Sequence, residues 1–287
     1  MVVERRAARR VAVVVLSAAL LAAAGALAGR SDTGLVESGA VTSSGHGKLV
    51  FADDFRGSGV TGQRWNRCYW WGPTGCTIAS NHESQWYLPD QVSQSGGALH
   101  LTAQRQSTRG IDGKLYPFRS GMVTTGRDSS DVRVKPKFAI RYGYIEAKLR
   151  VPRGEGLWPA LWLLPASNGS RPEVDIAEIR GSATRKVSMH LHTIGQAGKR
   201  RSVGEHWVGD DLSVGWHVFA LDWQPGVLRW LIDGSEAWRV TGDQVPSEPM
   251  YLVANLAVGG DWPGPPTAQT PAKAAFDIDY IKIWNDR

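Results

Sequence analysis

The sequence predicts an all-β chain that folds as a β-sandwich of the jelly-roll type. Short β-rich runs such as GMVTT, EVDIAEI and FDIDYIKIW recur from residue 48 to the C-terminus. Gly, Pro, Asn and Asp separate these runs, which is the pattern of antiparallel sheets packed face to face. The sequence contains no long amphipathic helix, no glycine-rich dinucleotide fingerprint and no internal repeat. We therefore expect a single β domain over residues 48–287.

The first 28 residues have the parts of a secretory signal. A basic leader, MVVERRAARR, precedes an apolar run rich in alanine, and ALA at residues 26–28 has the small-x-small pattern of a cleavage site. We therefore expect cleavage of the signal, secretion to the extracellular space and no stable association with a membrane afterwards. The apolar run approaches the length that spans a bilayer, so retention by an uncleaved N-terminal anchor is the alternative.

Residues 29–47 are small and polar, and they predict a flexible linker between the signal and the β domain. The whole chain has a formal net charge of +6, and the signal, with four arginines and one glutamate, accounts for half of it. The remaining charge is modest and spread along the chain, which indicates no nucleic-acid partner.

Cys68 and Cys76 are the only cysteines, and they flank the loop CYWWGPTGC. An exported protein meets oxidising conditions, so we predict a disulfide that closes this loop. A zinc site is a weaker interpretation, because the two cysteines lack a second pair or a matching histidine cluster.

The stretch EVDIAE, which begins at Glu173, places three acids among apolar residues. In a regular strand Glu173 and Asp175 share a face, whereas Glu178, at an odd offset, points to the other. A β-bulge around Ile176 and Ala177 adds one residue and returns Glu178 to the face of the other two acids. The sequence thus predicts a bulged strand with three carboxylates on one face, and a solvated sheet edge is the alternative.

Tryptophans near these acids are candidates for sugar binding. Trp158 and Trp162 share a face in GLWPALWLLP, where two indoles would form a platform for the apolar faces of sugar rings. Trp86 and Trp262 are further candidates. The remaining tryptophans are expected mostly in the sandwich core, as for Trp216, Trp223, Trp230, Trp238 and Trp284.

His190 and His192 share one face of the next predicted strand, VSMHLHT. This strand is expected to pair with the acidic one and to bring a histidine near Glu178. A structural role is an equal alternative for either histidine. With an aspartate the pair could bind a metal, but its spacing is not diagnostic of a metal site.

Paired carboxylates on one face suit the cleavage of a glycosidic bond. One donates a proton to the leaving oxygen, and the other attacks the sugar or activates water. A separation of about 5 Å gives retention of configuration, and a wider gap gives inversion. In the retaining interpretation Glu173 is the ionised nucleophile, Glu178 is the protonated donor and Asp175 hydrogen-bonds Glu173. Spacing alone leaves the roles of the two glutamates interchangeable.

EVDIAE resembles the core motif of glycoside hydrolase family 16, which includes laminarinases and lichenases. GLWPALWLLP before it, and MYLVANLAVGGDWPG and FDIDYIKIW after it, extend the resemblance from about Phe51 to Trp284. The resemblance implies a jelly roll with an open concave substrate cleft. It also implies Glu173 as nucleophile, Glu178 as acid/base and Asp175 as an assisting residue. The extra residue before the last Glu resembles the laminarinase-type ExDxxE branch.

The same resemblance implies further site residues. Substrate-binding positions along the cleft are Asn81, Trp158, Trp162, His190 and Trp262. Glu83, close to Asn81 in SNHESQWY, is an additional candidate. Catalysis needs no cofactor, and Asp279 is a candidate ligand for a structural calcium ion on the convex side.

Together these features predict a secreted, monomeric, retaining endo-glycosidase whose partner is a polysaccharide. A laminarin-like β-1,3-glucan is the first expected substrate, cleaved at internal bonds by double displacement. The alternatives are a transglycosylase, a hydrolase of another β-glycan such as a mixed-linkage glucan or a galactan, and a carbohydrate-binding protein without catalysis.

Overall fold

The computed structural model describes residues 45–57, 59–71, 75–167, 169–195 and 198–285. The predicted signal and residues 29–44 of the predicted linker lie outside these ranges. Within the ranges, no helix has the length and apolar character needed to cross a membrane.

Eighteen strands and two single turns of 3-10 helix, Ala79–Asn81 and Pro89–Gln91, occur in the described residues. The first nine strands are β1 (Lys48–Asp53), β2 (Gln85–Tyr87), β3 (Val92–Ser95), β4 (Ala98–Gln104), β5 (Thr108–Arg109), β6 (Leu115–Tyr116), β7 (Phe118–Ser120), β8 (Met122–Thr124) and β9 (Gly143–Arg150). The other nine are β10 (Leu157–Pro165), β11 (Glu173–Ile179), β12 (Lys186–Ile194), β13 (Arg200–Val208), β14 (His217–Gln224), β15 (Val227–Ile232), β16 (Ser235–Thr241), β17 (Met250–Val258) and β18 (Lys273–Asn285).

Two large sheets contain sixteen of the strands found in the described ranges. The larger sheet has the order β16-β15-β14-β9-β18-β4-β7-β2, with β1 on β18 and β3 on β4. The smaller sheet has the order β13-β12-β11-β10-β17-β8, and β5 and β6 form a separate hairpin. Neighbouring strands are antiparallel except for β2 and β7. This confirms the predicted all-β sandwich.

Alternation along the strands places the hydrophobic core between the two sheets. In β10, Leu161 and Leu163 lie in that core, whereas Ala160 and Trp162 lie in a second apolar cluster on the outer face of the six-stranded sheet. The predicted alternation of this strand is therefore confirmed. Each fully buried leucine stabilises the fold by about 2 kcal/mol.

The loop at Cys68 covers part of that outer face. Cys68 and Cys76 are joined by a disulfide, as the sequence predicted. Tyr69 packs in the second apolar cluster and stacks on Trp71, with ring centroids 4.2 Å apart. Trp70 Nε1 donates a 3.1 Å hydrogen bond to the hydroxyl of Tyr251 on β17. The loop therefore stands against the six-stranded sheet as an aromatic wall.

Candidate active site

A β-bulge in β11 sets the direction of its acidic side chains. Asp175 pairs with His190 of β12 and Glu178 pairs with Ser188, so three steps along β11 match two along β12. The register against β10 shifts at the same place. The predicted bulge is therefore confirmed, and the strand carries one extra residue between Asp175 and Glu178.

This bulge divides the side chains of β11 between the two faces of the sheet. The apolar side chains all lie in the core between the sheets: Val174, Ile176, Ala177 and Ile179. Glu173, Asp175 and Glu178 line a cleft of about 740 Å³ on the outer face. Because Ile176 and Ala177 both point inward, Glu178 returns to the face that carries the other two acids.

A tryptophan of the opposite sheet supports the bulge from inside. Trp230 of β15 is fully buried, and its Nε1 donates a 2.9 Å hydrogen bond to the backbone oxygen of Asp175. A bulge interrupts the strand ladder locally, and a buried carbonyl without a partner is costly. This bond contributes about 1 kcal/mol. The sequence placed Trp230 in the core without indicating this role.

The carboxylate of Glu178 is held by side chains from both neighbouring strands. Trp158 of β10 donates a hydrogen bond from Nε1 to Glu178 Oε1 at 3.1 Å. His190 Nδ1 lies 3.0 Å from Glu178 Oε2. The expected pairing of β11 with β12 thus brings His190 to this glutamate.

Glu173 has different partners. Arg171 Nη1 forms an ion pair with Glu173 Oε2, and His192 Nε2 lies 3.9 Å from Oε1. Burial raises the pKa of Glu173 to about 7; the Arg171 guanidinium opposes this rise, and the charge of Glu178 adds to it. Glu173 therefore ionises above neutral pH and becomes protonated as the solution turns acidic.

Asp175 is 2% exposed and lies between the two histidines. Its Oδ2 is 3.1 Å from His192 Nε2 and 3.9 Å from His190 Nδ1, without an aligned hydrogen bond to either. Burial, with the charges of Glu178 and Glu173, raises the pKa of Asp175 well above its usual range. Burial lowers the pKa of His192 to about 4. Both groups are therefore held neutral, and Asp175 contacts His192 where a hydrogen bond to Glu173 was expected.

Acids and histidines alternate along the cleft in the order Glu178, His190, Asp175, His192 and Glu173. Because the central acid is neutral, Asp175 adds no negative charge to this row. A carboxyl group that gives a proton and a carboxylate that attacks can then act on one bond. The geometry suits cleavage of an acetal such as a glycosidic bond.

Replacing Arg171 by Gln is expected to move the acidic limb of the pH profile of kcat/KM to higher pH. The guanidinium favours the ionised form of Glu173, so its removal raises the pKa of that carboxyl further. We expect a displacement of about 1 pH unit, at the low end of the effect of a neighbouring guanidinium. The pH dependence of kcat/KM reports groups of the free enzyme, so this profile is the measurement.

Arg239→Gln is the matched control, because it removes an exposed arginine that pairs with Glu236 on β16, on the other sheet. Its profile should coincide with that of the unsubstituted protein. An acidic limb of Arg171→Gln at unchanged or lower pH would contradict the role given to this arginine.

The predicted sugar-stacking residues Trp158 and Trp262 lie together. Their ring centroids are 5.2 Å apart at an interplanar angle of 52°, and both side chains are partly exposed. The guanidinium of Arg180 lies over Trp262, 5.4 Å from its centroid. Contact of these rings with a sugar stays a prediction.

Trp162 and Asn81 also line the cleft. Trp162 is 8% exposed, and its Nε1 donates a 2.7 Å hydrogen bond to Asn255 Oδ1, so it forms part of the floor and leaves little of its ring for a sugar. Asn81 Nδ2 donates to Glu83 Oε1 at 3.2 Å. Burial raises the pKa of Glu83 to about 7, so this pair can present a neutral carboxyl group at the cleft.

Trp86 was a wrong prediction. Its side chain is 3% exposed and packs against Tyr116 of the β5–β6 hairpin, with ring centroids 5.2 Å apart. The aromatic wall of Tyr69, Trp70 and Trp71 lines the cleft instead. Its signal in the sequence is a run of three aromatic residues inside a loop closed by two cysteines.

Arg171 and His192 were not among the predicted site residues, yet both contact the acids. Their positions could have indicated this. Arg171 precedes β11, and its signal is a cationic residue only two positions before Glu173 in the sequence. His192 shares the face of His190, because side chains alternate along a strand.

The contacts of Asp279 do not support a calcium site at this residue. Its carboxylate oxygens lie 3.3 Å from Arg56 Nη2 and 2.8 Å from Lys148 Nζ. The negative charge of Asp279, which a calcium ion would need, is thus already neutralised by two cationic side chains. In the described residues, Asp175, His190 and His192 form one group of possible metal ligands, and its nitrogen donors do not suit calcium.

The sequence is similar to known glycoside hydrolases. The profile of Glycosyl hydrolases family 16 matches residues 79–282. Endo-1,3-1,4-beta-glycanase ExsH of Rhizobium meliloti is 32% identical over 257 residues, which cover 82% of this chain and 51% of that protein. Glucan endo-1,3-beta-glucosidase A1 of Niallia circulans is 26% identical over 277 residues, which cover 83% of this chain and 38% of that protein. The chain spans about half the length of the first curated relatives that it matches.

Solved structures share the fold. The catalytic domain of an endo-1,3-beta-glucanase (laminarinase) from Thermotoga petrophila superposes with a TM-score of 0.73 at 28% sequence identity. The match covers 84% of this chain and 98% of that domain.

Proposed function

Since the chain belongs to glycosyl hydrolase family 16, we propose that it is a retaining endo-β-glucanase that cleaves internal β-1,3 bonds of a laminarin-like glucan. One observation carries the proposal: the bulge of β11 gathers Glu173, Asp175 and Glu178 on the cleft face. The Niallia and Thermotoga relatives are named as a glucan endo-1,3-beta-glucosidase and an endo-1,3-beta-glucanase, which supports the choice of β-1,3 linkages.

In the first step of the proposed reaction, Glu173 attacks the anomeric carbon as a carboxylate. The bond from that carbon to the glycosidic oxygen breaks, and Glu178 gives its proton to the leaving oxygen. His190 and Trp158 hold the carboxyl group of Glu178 in place for this transfer. The products are a glycosyl ester on Glu173 and a shortened glucan chain.

In the second step, the ionised Glu178 accepts a proton from water while the water oxygen attacks the anomeric carbon. The ester bond breaks, and Glu173 leaves as a carboxylate. Two inversions give a product with the β configuration. The neutral Asp175 between the two glutamates keeps a third negative charge out of the site.

A mixed-linkage β-glucan is a second candidate substrate. The Rhizobium relative at 32% identity is named an endo-1,3-1,4-beta-glycanase, which supports a β-glycan with both 1,3 and 1,4 bonds as a substrate. The same two glutamates would serve, since the linkage of the leaving sugar does not change the chemistry at the anomeric carbon.

The test is incubation of the protein with laminarin, barley mixed-linkage glucan and agarose, with products followed by chromatography and NMR. We expect a series of laminari-oligosaccharides that first appear as the β anomer. Release of the α anomer would overturn the retaining mechanism. Cleavage of mixed-linkage glucan or agarose with laminarin untouched would overturn the substrate proposal. Binding without new reducing ends would overturn catalysis.

We propose in addition that the protein is exported. The basic leader, the apolar run and the ALA pattern at residues 26–28 support this, and a disulfide such as Cys68–Cys76 forms in oxidising compartments. N-terminal sequencing of the protein from the culture medium is expected to begin at Gly29. Recovery of the full-length chain from the membrane fraction alone would contradict cleavage.

A further inference from the structure

Two arginines and an isoleucine lie near Glu173, on three segments of the chain. Glu173 pairs with His192, and Ile194 pairs with Arg200, so Ile194 and Arg200 are neighbours two residues beyond His192. Arg171 precedes β11, and its guanidinium contacts Glu173.

Arg200 faces the cleft. On β13, Gly204 lies against the ring of His190 and His206 lies 3.1 Å from Ser188, so the even-numbered residues of this strand share the cleft face. Arg200 belongs to that set, and both it and Arg171 line the cleft. Ile194, on the same face, is 52% exposed.

The two guanidinium groups carry one more charge than the acid beside them. Arg171 forms an ion pair with Glu173, whose carboxylate is required for the reaction in the proposed function. In the described part of the chain, Arg200 has no ion-pair partner. This end of the cleft therefore has the unmatched positive charge of Arg200 next to an exposed apolar side chain.

We propose that Arg171, Ile194 and Arg200 form a subsite for an anionic substituent on the glycan, so that the natural substrate is an acidic β-glycan. The proposal rests on the proposed function, because it concerns the substrate of the same cleft. Guanidinium groups bind planar or tetrahedral oxyanions through paired N–H donors. A carboxylate and a sulfate share this chemistry, and the apolar isoleucine suits the carbon atoms that carry the charged group.

The experiment compares carboxymethylated, sulfated and hydroxyethylated forms of one soluble β-1,3-glucan at equal degrees of substitution. The hydroxyethyl form controls for bulk without charge. We expect kcat/KM to be about tenfold higher on an anionic form than on the neutral one, the effect of one charge-assisted hydrogen bond. The preference should shrink as salt is raised to 0.5 M. Whichever anionic form is preferred identifies carboxylate or sulfate as the group.

Arg200→Gln is expected to lower the ratio of anionic to neutral kcat/KM about tenfold. Arg201→Gln is the matched control: Arg201 lies on the same strand, and its odd-numbered neighbours Val203 and Trp207 pack against the core. An equal loss in both variants would indicate general attraction by charge and overturn the subsite, as would a ratio unchanged by Arg200→Gln.

The outcomes separate this proposal from the proposed function. If the neutral glucan is cleaved and the charged forms give no advantage, the acidic-substrate proposal fails and the β-glucanase stands. If none of the β-1,3-glucans is cleaved, the proposed function fails.

Discussion

Glu173→Gln is expected to lower kcat on laminarin by about 10⁴-fold or more, a loss of ~5 kcal/mol of transition-state stabilisation. The amide is close in size to the carboxylate but is a poor nucleophile, so no glycosyl ester can form. The pairing of β11 with β10 and β12 involves backbone atoms and should persist. Initial rates of reducing-end formation measure the effect, and thermal unfolding checks that the variant is folded.

The control for Glu173→Gln is Glu236→Gln, the same change at an exposed position of β16, on the opposite sheet. It should retain the rate of the unsubstituted protein. Activity of Glu173→Gln within tenfold of that rate would exclude Glu173 as the nucleophile. Adding azide to a Glu173→Ala variant gives a further check, since a small anion can attack from the space that the missing carboxylate leaves and yields an α-glycosyl azide.

Glu178→Gln is expected to reduce the rate on laminarin by about 10²- to 10⁴-fold, the usual contribution of a positioned general acid/base. The size of the loss should depend on the leaving group. With a dinitrophenyl glycoside as substrate, dinitrophenolate leaves without help from a proton. Glu178→Gln should therefore still form the glycosyl ester and release a burst of dinitrophenolate. The measurement is a stopped-flow trace with both substrates.

The contrast with Glu173→Gln makes this test specific. Without a nucleophile, neither substrate should react, and no burst should occur. If Glu178→Gln lost both activities equally, or if Glu173→Gln kept the burst, the two roles would be exchanged. The order of acids in the sequence alone does not decide between these roles.

The bulge could be predicted because its signal is local. Three acids and four apolar residues within β11 fit a two-sided strand only if one residue is extra, and period-two alternation needs no knowledge of the rest of the chain. The strands that pair with β11 could also be predicted, since consecutive strands tend to pair. The predicted contact between His190 and Glu178 is therefore present.

Residues whose surroundings come from distant segments could not be predicted in this way. Trp86 is covered by Tyr116 of a hairpin that the strand pattern of β2 does not reveal. The carboxylate of Asp279 accepts a hydrogen bond from Arg56, which lies 223 residues away in sequence. The bond from Trp230 to Asp175 likewise depends on how one sheet lies on the other. Each of these is a property of the packed sandwich rather than of a single strand.

The extra residue in β11 also bears on how the gene can vary. An in-frame loss of one codon at Ile176 or Ala177 would restore a regular ladder, and such a strand would still pair with β10 and β12. The acid that follows would then stand four residues after Glu173, an even offset, so it would stay on the cleft face and the isoleucine after it would stay inward. The positions of the three acids are thus compatible with two lengths of this segment, whereas loss of Val174 would place Glu173 and Asp175 on opposite faces.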